Sequence, residues 1–130
     1  MNAPSLELCK ELYNLSGWDK TYLVWAVANE GDYAPWLRPG VGNNSAYTEL
    51  PAYDLGYLLR KIQVAFGVSI KYVDPDNPSA TDLKDWYGRW VCYTPWLKQK
   101  HYAYATTPED AAAKLAIELL KVEVLTKDQN

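Results

Sequence analysis

Trp86-Tyr-Gly-Arg-Trp-Val-Cys-Tyr93, His101-Tyr-Ala-Tyr-Ala-Thr106 and Thr107-Pro-Glu-Asp-Ala-Ala-Ala-Lys-Leu-Ala-Ile-Glu-Leu-Leu120 read as two strands and a helix. The first segment is aromatic and β-branched, which suits a pleated, half-buried surface. The second alternates with period two. The third begins with a complete helix start. Thr107 is the N-cap, Pro108 occupies the first helical position at no hydrogen-bond cost, and Asp110 approximates the acid of a capping box. Ala112, Leu115, Ala116, Leu119 and Leu120 then share one face, while Asp110, Lys114, Glu118 and Lys121 line the other. The reading is structural; it names no chemistry.

Upstream, residues 5–16 predict a helix with Leu8, Leu12 and Leu15 inward, Cys9 beside them and Gly17 at its end. Thr21–Ala28 fits a strand or a buried helix; its β-branched and aromatic residues and the turn residues after it favour the strand. Tyr33–Asn44, rich in Pro and Gly, reads as a loop or irregular edge carrying Trp36. A helix is expected from about Thr48 to Phe66, with Leu55, Leu58, Leu59, Ile62 and Phe66 at helical spacing. Val68–Val73 alternates as a strand, Asp74–Pro78 is a turn, and a polar loop runs to Lys84. The predicted fold class is α+β. A three- to four-stranded antiparallel sheet is covered by helices on one face, in the order α-β-α-β-β-β-α. One domain is expected over 1–130: residues 1–28 as N-terminal helix and strand, 51–122 as an α-β-β-β-α module, and 123–130 as a frayed tail.

The net charge is −3, so the chain lacks the electrostatic drive for nucleic acid or an anionic membrane, and binding to neither is expected. No apolar run approaches a membrane span. The first residues, Met1-Asn-Ala-Pro-Ser-Leu-Glu7, have neither part of a signal peptide. The expected location is cytoplasmic, with Cys9 and Cys92 as free thiols. The distinctive feature is 6 Trp and 11 Tyr against 1 Phe and 1 Met. Such rings carry a polar handle and suit half-wet surfaces.

The order from residue 51, with the Ala-rich closing helix, resembles the topology of a double-stranded-RNA-binding domain. Where that family's last helix opens with a basic cluster, this chain has Thr107-Pro-Glu-Asp110, which repels phosphate. The helix Leu50-Pro-Ala-Tyr-Asp-Leu-Gly-Tyr-Leu-Leu-Arg-Lys-Ile62, the Trp/Tyr-rich strands and Thr107–Ile117 are similar to small uncharacterised accessory proteins of tailed phages and prophages. That resemblance spans roughly residues 50–121 and implies no activity.

No catalytic set emerges. His101 is the sole histidine, and a Cys92/His101 dyad has no third group to orient it. One His and two distant Cys cannot form the usual zinc set, and Asp74-Pro-Asp-Asn77 lacks the glycine and terminal Glu of a calcium loop. No cofactor is implied. Period-two alternation puts Trp86, Gly88, Trp90 and Cys92 on one strand face, and Tyr87, Arg89, Val91 and Tyr93 on the other. If uncovered, the second face is an aromatic platform bearing a cation. The expected binding residues are Trp96, Arg89, Tyr87, Tyr93 and Trp36, with Trp96 an exposed anchor in the 94–100 loop. The resulting expectation is a non-enzymatic phage or mobile-element protein that binds a host or viral protein through aromatic residues. The alternative is a binder of a small planar, nucleotide-like ligand that uses the sheet face with Arg89.

Overall fold

A computed structural model of the chain describes residues 2–40, 46–65, 67–95 and 100–125, excluding the side chains of Val64 and Ala65. Trp96, Phe66 and the tail beyond residue 125 lie outside these described residues. The fold is mixed α+β, with three α-helices and two antiparallel three-stranded sheets among the described residues. β1 (Leu23–Ala28) is the centre of the first sheet, between β2 (Trp36–Pro39) and β3 (Tyr47–Ala52). The second sheet is a meander of β4 (Ser69–Tyr72), β5 (Trp90–Tyr93) and β6 (Tyr102–Ala105). The expected α-β-α-β-β-β-α order is present, with β2 and β3 added to it. The N-terminal strand builds a sheet of its own instead of extending the meander.

Two boundaries differ from expectation, for identifiable reasons. The second helix, α2 (Leu55–Ala65), starts later than Thr48. Asp54 is its cap: the Asp54 side chain accepts from the Tyr57 N–H at 2.7 Å, and its carbonyl from the Leu58 N–H. Tyr47–Ala52 pairs with β1 instead, and Pro51 is tolerated because β3 is an edge strand. Residues 123–125 are not frayed. Glu123 takes a left-handed φ of 61°, the N–H groups of Val124 and Leu125 donate to the Leu119 carbonyl, and Leu125 is buried.

Helix α1 (Leu6–Ser16) is capped by the Ser5 hydroxyl and closed by Gly17 at φ 70°. Its buried stripe is Cys9, Leu12 and Ser16, with Leu8 and Leu15 packed at the margin. The third helix, α3 (Pro108–Lys121), has the predicted start, with the Thr107 hydroxyl accepting from the Asp110 N–H. Its burial exceeds one face: Ala111, Ala112, Ala113, Leu115, Ala116, Ile117 and Leu119 are all buried. Only a narrow stripe of Lys114, Glu118 and Lys121 stays in water. The helix touches α1, α2, β5 and β6, so it lies at the centre of the molecule. Asp110 also accepts from the Ser5 N–H at 2.9 Å, joining the starts of α1 and α3.

Candidate functional site

Two aromatic surfaces stand outside this core, one on each sheet. On the first sheet, the strand face carrying Trp25 packs against the helical core, and the Trp25 indole donates to the Pro4 carbonyl. The opposite face brings rings together across small residues. Trp36 pairs with Ala26 and Tyr47 with Ala28, so two alanines of the central strand leave room for flanking rings. Trp36 and Tyr47 meet edge-on at 5.5 Å, and Ala26 is fully buried in the row between them. Arg38 sits over the Tyr47 ring at 5.0 Å, a cation–π contact. The β1–β2 connection then closes a groove of about 930 Å³, lined by Ala28, Glu30, Gly31, Tyr33, Trp36 and Tyr47 among others. Gly31 is required here: its φ is 86°, and a Cβ would meet the Tyr33 ring at 2.9 Å. Tyr33 is 75% exposed and Trp36 40%, so both rings are available to a partner.

On the second sheet, the helix-facing side carries Ile70, Trp90, Cys92, Ala103 and Ala105. Trp86 is not on that side, contrary to the alternation. It belongs to a single 3-10 turn, Lys84–Trp86, and Gly88 follows at φ 74°. The chain is no strand there, so period two does not apply. Trp86 folds over the outer face and meets Tyr102 at 5.2 Å, with the Lys71 ammonium 5.8 Å from its ring centroid. Lys71 is paired with Asp82, whose carboxyl is held below its ordinary range by the Lys71 hydrogen bond and the Ser79 N–H. Lys71, Thr81, Trp86, Tyr93, Lys100, His101 and Tyr102 line a cleft of about 250 Å³.

The expected binding residues are therefore divided. Trp36 enters the groove and Tyr93 the cleft. Arg89 lies over the Tyr104 ring at 5.2 Å, on the outer face but outside the cleft lining. Tyr87 ends the 3-10 turn, partly exposed, and lines neither depression. Trp96 is outside the described residues. Tyr33, Tyr47, Trp86 and Tyr102 were not among the expected residues. The local signals for them were the Gly31-Asp32 turn, the alanines at 26 and 28, and Gly88.

The Cys92/His101 pair is not an activated dyad. Cys92 is fully buried in the core, and burial pushes its thiol up to about 12, whereas a working nucleophile needs a lowered value. The His101 Nδ1 is 3.9 Å from the Glu118 carboxylate on α3. The Cys9 thiol is also raised by burial. In the native protein neither thiol should react with Ellman's reagent within minutes at mildly alkaline pH, and both should react after unfolding in guanidinium chloride. Prompt stoichiometric reaction in the native state would contradict this burial. Asp74 accepts from the Asp76 N–H, forming a local turn. Among the described residues, no three His, Cys, Asp or Glu side chains are grouped to hold a metal ion, and no helix is long and apolar enough to cross a membrane.

No protein-family model matches this chain, and neither a curated protein nor a solved structure matches it.

Proposed function

We propose that this is a binding protein, of phage or mobile-element origin, that holds a segment of a partner protein in the groove of the first sheet. One observation carries the reading. Tyr33 and Trp36 are large and exposed and line one open groove, and they are among the residue types that dominate binding energy at protein interfaces. The rim suggests the partner's chemistry. Glu30 lines the groove and Asp32 is exposed beside it. An apolar side chain flanked by Lys or Arg complements both the rings and these acids.

Selection from a random peptide library against the intact protein tests the reading. The selected peptides should combine apolar and basic residues. Trp36→Ala and Tyr33→Ala should each weaken their binding by about 2 kcal/mol, some thirtyfold. Tyr72→Ala, on the other sheet, should leave it unchanged. Tyr33→Ala should alter unfolding free energy by less than about 0.5 kcal/mol, because the ring is largely in water. Peptides that bind the Trp36 and Tyr33 variants as well as the parent would remove the groove from consideration.

A further inference from the structure

We infer that the cleft on the second sheet is a separate binding site for a small planar anion, a single ring carrying a carboxylate or comparable acid. Tyr93 and Tyr102 lie directly opposite each other on β5 and β6, so both present to the outer face. Trp86 stands against Tyr102, inclined at 68°, and completes an aromatic wall on that face. The cleft's volume, about 250 Å³, lies below the ~300–1,000 Å³ typical of sites for drug-sized ligands and fits about one ring.

The charge of the lining selects an anion. Lys71 and Lys100 both contribute, and among the described residues the lining contains no carboxylate. Asp82 lies behind Lys71 and is engaged by it and by the Ser79 N–H. Lys100 is exposed and has no ion pair among the described residues. A further donor is unused: the Trp86 Nε1 is buried with no hydrogen-bond acceptor. Leaving such a donor unpaired is unfavourable, and it sits in a side chain of the cleft's own lining. Planarity follows from the rings, since stacking favours a flat π-face over a puckered one. The site is independent of the first-sheet groove and shares no lining residue with it.

Benzoate is the probe, with neutral benzamide and non-planar cyclohexanecarboxylate as controls. Binding is followed by the indole N–H signals of the 15N-labelled protein, the Trp86 signal being the one absent from Trp86→Phe. Benzoate should shift that signal saturably with a dissociation constant of about 1–10 mM, as its size allows. Benzamide and cyclohexanecarboxylate should bind at least severalfold more weakly. Lys100→Gln should weaken benzoate about threefold, the scale of one exposed charge pair. Absence of a saturable shift, equal binding of benzamide, or an unchanged benzoate affinity in Lys100→Gln would overturn the assignment. Trp36→Ala should bind benzoate like the parent; a loss there would place the probe in the groove and also overturn it.

Discussion

Leu119→Ala should lower the unfolding free energy by about 2–5 kcal/mol, and Leu115→Ala by a similar amount. Both side chains are fully buried on a helix enclosed by α1, α2 and two strands. Deleting three carbons there removes buried apolar surface and leaves a cavity that neighbours from four elements cannot readily fill. The comparison is Lys114→Ala on the same helix, an exposed position where the change should stay within about 0.5 kcal/mol. Denaturant unfolding of the three variants gives the answer directly. Similar losses at Lys114 and Leu119 would mean that the burial of α3 is wrongly assigned.

Trp18→Ala should be as severe, at about 3–5 kcal/mol. Trp18 is fully buried, edge-on to Tyr53 at 6.4 Å and near Tyr57 at 6.3 Å, with the Lys61 ammonium 5.2 Å from its ring centroid. The Tyr53 hydroxyl donates to the Trp18 carbonyl at 2.6 Å, which locks the segment after α1 against the start of α2. Tyr53→Phe keeps the ring and removes only that bond, so its cost should be about 1 kcal/mol. The ratio between these variants separates packing from hydrogen bonding. A Trp18→Ala protein within 1 kcal/mol or so of the parent would show that the ring is dispensable to the core.

The parts of this fold legible in the sequence were those whose causes are local. The start of α3 depends on Thr107, Pro108 and Asp110, all within one turn. The meander depends on runs of β-branched and aromatic residues between turn clusters. β3 was not legible, because Pro51 looks like a helix start and only pairing with β1 shows otherwise. The position of Trp86 depends on Gly88 reversing the chain, and a period-two count carried through that glycine puts the ring on the wrong side. Trp18 sits among Gly17, Asp19 and Lys20, a polar turn composition that hides its burial. The groove was legible only through Trp36. Its other rings arrive from β3 and the β1–β2 connection, and their meeting depends on Ala26 and Ala28 being small, a relation that exists across strands and not along the chain.

The order of synthesis gives the central position of α3 a further meaning. The helix around which the other elements close is made after every element it touches, since α1, α2, β5 and β6 all precede it. α1 is made well before it, with Cys9 and Leu12 destined for a core whose middle does not yet exist, and Ser5 waits for a carboxylate 105 residues away. Domains that can fold while being made complete early units before their ends appear. In this chain the first sheet can pair its strands early, since β1 and β2 are close in sequence. The helical core cannot close until residues 108–121 are free to enter it. The apolar stripes of α1 and α2 therefore stay uncovered on the nascent chain until α3 has been made.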